Sequence, residues 1–496
     1  MSETHASQGF PRSFWTVNVM ELFERGAYYG LNSVLAVYLT GSKASGGLGF
    51  AEQSVGFLQS LVYALTYVLP ILGGALADRY GYRRMLLVAF SLLTAGYFAA
   101  GYSSTYAIVF LALLVMGTGA GLFKPIVSGT IARTTHEGNS ALGFGIYYWM
   151  INIGAFLAPL VVSWLKGFSW HAVFMASALY CALMLIPTLF IFQDPPLPED
   201  TKDFRQVILG AAEVLGDSRF MLMIVVYSGF WVLYFQTFGS ILWYLRDFVD
   251  KTPVNAAING LLGSSGLRFT FDAEHVTVIN GGVIILLQVL VSRMVKNRPA
   301  LPTMVTGMVC GGLGFLFLAF SQNGWVFIAG IAIFSLGEMI AHPKYYSFVG
   351  LVAPEAKKAL YMGYSFLYGV FGALIGSSLG AFLYARFLKP AIGQPHAAAT
   401  ARNFWLMFTA LDALAALGLI LFAWAFSADT PETRRQSRKW MIGVYGAVFC
   451  LGLGFAYAAL SAHPVEYRTL VQSLIFLAMG GGGLTVILRQ PKNINF

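Results

Sequence analysis

The chain has 496 residues, 57% hydrophobic and only 11% charged, with a net charge of +9. A soluble chain carries roughly 25% charged residues, so most of this surface faces lipid and a soluble class is excluded. The basic excess gathers in connections between apolar runs, where the positive-inside tendency places it, and no nucleic-acid partner is expected. The apolar runs are continuous over about 20 residues, which selects a polytopic helix bundle over a barrel of ten-residue alternating strands. The 54 glycines fit close helix contacts in a bilayer.

Fourteen spans are predicted near 14–40, 52–77, 85–102, 105–131, 141–165, 172–193, 218–243, 275–292, 301–320, 324–350, 359–385, 403–427, 440–460 and 468–488. The stretch before the first, MSETHASQGF, lacks the basic region and cleavage site of a signal peptide, so span one is read as retained. It contains ELFERGAYYG, with Glu21, Glu24 and Arg25 in an otherwise apolar run. Each charge at bilayer depth costs about 2.5 kcal/mol or more. At 100° per residue, Glu21, Glu24, Arg25, Tyr28, Tyr29 and Asn32 fall within an arc of about 140°, a polar stripe roughly 16 Å long, facing away from Phe23 and Leu31. Such a stripe suits a helix lining a wet cavity; the plainer alternative is a structural Glu21–Arg25 pair fastening helix to helix.

Further along, span four carries GTGAGLFKP, with Lys124 beside Pro125, and span five carries Asn152 in INIGAFLAP. Residues 194–217, polar and Pro-rich at their start, divide the first twelve spans six and six. DRYGYRR (78–84) after span two and SRMVKNR (292–298) after span eight echo one another, as a duplicated six-helix unit with a central site requires. The domains are therefore read as 1–193, a cytoplasmic linker 194–217, a second bundle 218–427, and 428–496 with a basic linker (ETRRQSRKW) and two extra spans. The connection 244–274 is Gly-rich and mixed in charge, without an assigned role. Asn280 lies in span eight, Glu338 in span ten with His342 and Lys344 (LGEMIAHPK), and Asp412 in span twelve. Lys344 is read as either functional or snorkelling to the surface, His342 as a packed neutral imidazole, and Asp412 as structural or functional alike. Lys and Arg are more numerous in connections after even-numbered spans, which predicts cytoplasmic N- and C-termini. Cys181, Cys310 and Cys450, far apart in apolar runs, suggest neither disulfides nor a metal site.

Two acids near two bases carry a coupling logic. With Arg25 and Lys124 balancing Glu21 and Glu24, both acids are expected to stay ionised. A substrate carboxylate that takes the bases leaves one acid to bind a proton, which links substrate to proton as a symporter requires. Glu338 on the opposite bundle would hold an amino group, so the cavity suits a zwitterion.

These stretches resemble the proton-coupled oligopeptide transporter family of the major facilitator superfamily. ELFERGAYYG is similar to its E-x-x-E-R…Y-Y-G signature, GGALADRYGYRR to the superfamily loop after span two, and GTGAGLFKP to its span-four lysine motif. FGIYYWMINIGAFLAPL is similar to the span-five signature, and GEMIAHP with LVAPEAKKALYMG to spans ten and eleven. The resemblance covers nearly all of 14–427 and implies two six-helix bundles that import di- and tripeptides down a proton gradient, with no cofactor. It implies proton coupling by Glu21, Glu24, Arg25 and Lys124, and peptide carboxylate binding by Arg25 and Lys124. Glu338 would take the peptide amine, Asn152 and Asn280 its backbone, and Tyr28, Tyr29, Asn32, Tyr67 and Trp231 would line the pockets. Asp78 and Arg79 would help lock the cytoplasmic side. The partners implied are peptide, protons and the lipid bilayer, for a monomer in a bacterial inner membrane.

The chain departs from the family at Asn32, where many members have Arg, and at Tyr234 and Phe235, where many bacterial members have acids before the span-seven Gln, here Gln236. Ser365 stands where a Trp is common, and the extra helix pair is C-terminal rather than between the halves. A neutral, aromatic outer gate is therefore expected. The same departures leave open a transporter of the same fold for a modified peptide, an amino-acid derivative or a nitrate-like anion. A peptide receptor that does not transport is the remaining alternative. No H-E-x-x-H, and no G-x-S-x-G with a fitting triad, points to an enzyme.

Overall fold

The computed structural model describes residues 9–136, 139–195, 204–263, 265–354, 357–462 and 466–489. Among them the regular structure is helical, with one isolated bridge between Asp250 and Asn323. The first bundle comprises α1 (Arg12–Thr40), α2 (Glu52–Tyr80), α3 (Tyr82–Tyr102), α4 (Tyr106–Thr134), α5 (Ser140–Leu165) and α6 (Trp170–Phe190). A short α7 (Phe204–Gly216) follows, then α8 (Ser218–Tyr234), α9 (Ser240–Asp247) and α10 (Thr252–Leu262). The chain continues through α11 (Glu274–Val295), α12 (Ala300–Phe320), α13 (Gly324–Val352), α14 (Lys358–Tyr364), α15 (Leu367–Leu383) and α16 (Ala397–Phe426), and ends with α17 (Pro431–Ser461) and α18 (Tyr467–Arg489). Among the described residues, thirteen helical stretches are long and apolar enough to cross a bilayer. α1, 29 residues long and carrying the polar stripe, completes the fourteen predicted spans.

Two predicted spans are broken. Span seven leaves α8 through a 3-10 turn at Phe235–Phe238 before α9 resumes. There the Gln236 amide donates to Val232 O at 2.7 Å and to Gly376 O of α15 at 2.9 Å, fixing the turn through a partner helix. Span eleven breaks between α14 and α15, where the Ser365 carbonyl accepts from the Tyr345 hydroxyl at 2.6 Å. Two connections contain helix of their own: α7 within the predicted linker, and α10 within 244–274. Span thirteen begins nine residues earlier than predicted because Thr430 and Thr433 form a reciprocal capping box with Pro431 in the first turn.

α1 packs on α5 and α6, α2 on α4, and α3 on α4 and α6; in the second bundle α8 packs on α15 and α16, α12 on α13 and α16, and α11 on α13. The bundles meet along two seams, α2 against α15 and α5 against α11. Their contacts concentrate at the end opposite the N-terminus, here the far end. A Cβ at Gly56 of α2 would stand 2.7 Å from the Ser377 carbonyl of α15, so only glycine lets that seam close. Trp243 donates to Ala36 O at 3.2 Å and Arg246 to the Thr40 hydroxyl at 3.0 Å. Ion pairs flank the seams: Lys389 with Glu52 at 2.8 Å, and Lys166 with Asp272 and Glu274 at 2.6 and 2.7 Å. Toward the near end a cleft of about 470 Å³ separates α5 from α11, running from Asn152 to Arg293 and Lys296.

Candidate functional site

The polar stripe faces the interior, and α5 lies close enough to cover it. At Gly154 a Cβ would stand 2.8 Å from Leu22 O and 3.0 Å from Gly26 N, so glycine there brings α5 against the α1 backbone. Glu21, Glu24 and Arg25 are 1%, 0% and 5% exposed, which removes water as their counterweight. Arg25 Nε lies 2.5 Å from Glu24 Oε2 and 3.4 Å from Glu21 Oε1, and its Nη2 also reaches Glu24. One guanidinium thus serves two carboxylates, and Glu21 Oε2 and Glu24 Oε1 have no hydrogen-bond partner among the described residues. With both acids ionised the trio carries one uncompensated negative charge. A buried charge without a partner is costly, so the cluster favours a proton or a second cation.

Lys124 was expected to share that balance, and its position differs. Its Nζ lies 4.7 Å from the centroid of the Tyr67 ring on α2, a cation–π contact, and it makes no ion pair with a carboxylate among the described residues. It stays near enough for its charge to act on Glu21 and Glu24, so it shares their balance through space rather than by an ion pair. Tyr28 and Tyr29 extend the stripe, with Arg25 Cζ 5.0 and 5.9 Å from their ring centroids.

On the second bundle Glu338 is half-buried on α13. The Asn280 amide of α11 donates to Glu338 Oε2 at 3.1 Å and to the Ser335 hydroxyl at 2.9 Å, so the carboxylate is oriented but has no ion-pair partner among the described residues. Between the walls runs a band of rings. Tyr67 meets Trp231 at 6.3 Å and Tyr368 at 6.0 Å, and Trp231 packs on His342 at 5.0 Å, one turn beyond Glu338. The site therefore gathers Glu21, Glu24, Arg25, Tyr28, Tyr29, Tyr67, Lys124, Trp231, Asn280 and Glu338 from six helices. Asn152 differs: its amide donates to Tyr148 O of its own turn at 2.8 Å, beside the near-end cleft.

Asn32 accepts from the Tyr63 hydroxyl at 2.8 Å. Gln59 then donates to Tyr63 at 3.1 Å and across the bundles to Phe238 O at 2.8 Å, while the Tyr63 ring stacks on Phe235 at 5.5 Å. This joint is neutral and aromatic. Gln59 and Tyr63 were not singled out in the sequence, although they stand two turns and one turn before Tyr67 on the same helix.

Asp78 pairs with Arg133 of α4 at 3.0 Å and accepts from the Tyr82 hydroxyl at 3.1 Å, within the first bundle; Arg79 lies over Tyr80. Lys344 is 8% exposed and reaches past the end of α11, donating to Lys296 O and Arg298 O of the basic connection at 3.2 and 2.7 Å. Asp412 is buried against Gly312, with Oδ1 unpartnered among the described residues.

Residues 18–377 match the model of the Major Facilitator Superfamily. The chain is 33% identical over 182 residues to an uncharacterized transporter, YclF, of Bacillus subtilis (strain 168), an alignment covering 36% of this chain and 37% of that one. It is 24% identical over 425 residues to dipeptide and tripeptide permease A of Serratia proteamaculans (strain 568), covering 74% of this chain and 83% of the permease. Among solved structures, a peptide transporter POT in complex with sulfate superposes with a TM-score of 0.68 at 21% identity, over 84% of this chain and 96% of that one.

Proposed function

Because the chain belongs to the major facilitator superfamily, and its relatives fall in the oligopeptide-transporter branch that its motifs resemble, we propose that it is a proton-coupled symporter importing di- and tripeptides by alternating access. The protein is a multi-pass membrane protein, not an enzyme. In this reading the far end is the outer face, both termini are cytoplasmic, and the membrane is a bacterial inner membrane. The bundles 1–193 and 218–427 rock about the midplane site of a monomer.

The observation that carries the reading is the separation of unlike charges across the cavity. Arg25 and Lys124 stand on one bundle and Glu338 on the other, with neither Lys124 nor Glu338 neutralised by an ion pair among the described residues. A peptide zwitterion supplies the missing partner to both. Its carboxylate draws on the cations, deepening the negative excess of the Glu21–Glu24–Arg25 cluster, and a proton on one acid restores the balance. Peptide and proton then favour each other's binding by the same factor. Rocking moves both to the other side, and no cofactor beyond the proton gradient is needed.

The test is uptake of a dipeptide panel into proteoliposomes, with a pH gradient and a membrane potential imposed separately. Accumulation driven by an inward proton gradient is the expected result. No accumulation under either gradient, in protein that still binds another solute, would replace peptide with that solute.

A further inference from the structure

We propose that His342 determines side-chain specificity, forming with Trp231 a subsite for peptides whose second side chain carries a hydrogen-bond acceptor, an amide or carboxylate oxygen. The assignment rests on the peptide reading above and extends it to a substrate class.

His342 lies four residues after Glu338 on α13, on the same face and about 6 Å along the helix. Consecutive Cα atoms of a peptide are about 3.8 Å apart. An amine held at Glu338 therefore puts the second side chain within reach of His342. The imidazole sits in an aromatic box: Trp231 at 5.0 Å, Tyr346 at 4.9 Å and Tyr368 at 5.6 Å between ring centroids.

Its hydrogen bonding is one-sided. The Tyr227 hydroxyl lies 3.5 Å from Nδ1; with the phenol as donor, the neutral ring carries its hydrogen on Nε2. Nε2 meets no acceptor among the described residues. Trp231, 3% exposed, forms the inner wall of the box.

His342 is half-buried, so a bound side chain displaces water from Nε2, and a donor left unmet on binding is expensive enough to discriminate among substrates. An aliphatic side chain covers the imidazole and leaves its donor unmet. A lysine or arginine side chain brings only further donors. An asparagine, glutamine, aspartate or glutamate side chain brings the missing acceptor.

The test is counterflow of labelled alanyl-alanine by the full chain in proteoliposomes, with alanyl-asparagine and alanyl-leucine, close in shape, as competitors. In the wild type alanyl-asparagine is expected to compete about tenfold better, the worth of one net hydrogen bond. His342→Phe, which keeps a ring without the donor, should bring the ratio of the two competitors to about one. His342→Gln, which keeps an N–H, should retain the preference. Equal or better competition by alanyl-leucine in the wild type overturns the assignment without reference to any variant, as does an unchanged ratio in His342→Phe. Wild-type alanyl-alanine counterflow with equal competitors sinks the subsite alone. No counterflow of alanyl-alanine at all sinks the peptide reading and the subsite with it.

Discussion

Glu21 and Glu24 share one guanidinium, and the proposed symport puts that shortage to use as proton coupling. Glu21→Gln or Glu24→Gln leaves one acid for one base, so no proton is required to balance the cluster. Each variant should lose gradient-driven accumulation while retaining peptide exchange under equal conditions on both sides. Accumulation that survives in both variants would place coupling elsewhere. Glu338 offers an independent test, since its carboxylate is oriented by Asn280 without being neutralised. Replacing it by Gln removes a charge-assisted bond to the substrate amine, worth about 1.5–3 kcal/mol. Competition by free-amine dipeptides should weaken about 10- to 100-fold, and by N-acetylated ones far less; equal weakening would remove the amine contact. At this scale the stripe of α1 was legible because all its members lie on one helix, where spacing alone sets the face. The place of Lys124 was not, because whether it meets an acid of α1 or the Tyr67 ring depends on how α4 turns between α1 and α2.

At the scale of helices, the far-end closure divides into a neutral centre and charged flanks. The central Asn32–Tyr63–Gln59–Phe238 chain has no group that titrates near neutrality. Asn32→Arg puts a charge into that joint without an acid opposite and should destabilise closure, slowing uptake and changing its pH profile. An unaltered rate and profile would show that this joint is not the gate. The flank at Lys166 is a second test. Burial alone would raise the Asp272 carboxyl, but Lys166 and Lys251 outweigh it and bring it from 3.8 down to about 2. A depressed carboxyl stabilises the contact fully above its ordinary value and loses that contribution as pH falls toward the depressed one. Spin labels on the far ends of α5 and α11 should therefore report an unchanged distance from pH 8 to pH 5, with separation only below about pH 4. Separation near pH 6 would assign the flank to another group. Helix positions were legible to within a few residues at most ends, because lipid demands continuous apolar runs with internal backbone bonds. The breaks at Phe235–Phe238 and Ser365–Phe366 were not. Neither contains proline; they are held by Gly376 O and the Tyr345 hydroxyl, which belong to other helices or distant turns.

Over the whole molecule, the question is what the α17–α18 hairpin does to the rocking of the two bundles. Near the linker it is fastened by Ser437 to Ser218 at 2.9 Å and by Tyr445 to Leu215 O at 3.4 Å. At the far end α18 touches both bundles: Arg468 donates to the Ser54 hydroxyl of α2 at 2.7 Å, and Gln472 to that of Ser378 on α15 at 3.1 Å. If α2 and α15 part when the outer side opens, these two bonds cannot both persist. Only the weaker has to break, and a neutral bond such as Gln472 to Ser378 contributes about 1 kcal/mol net, which shifts a two-state population by about fivefold at most. The hairpin is then a packing accessory with a weak tie to the seam, rather than a brake. Arg468→Ala removes the tie while leaving the hairpin's contacts with α7 and α8 in place. Its uptake rate should rise by no more than about fivefold, and deletion of 432–496 should likewise produce no large acceleration in protein that remains folded. An increase of tenfold or more in Arg468→Ala would exceed what one such bond can hold back, and would make the hairpin a regulator of opening.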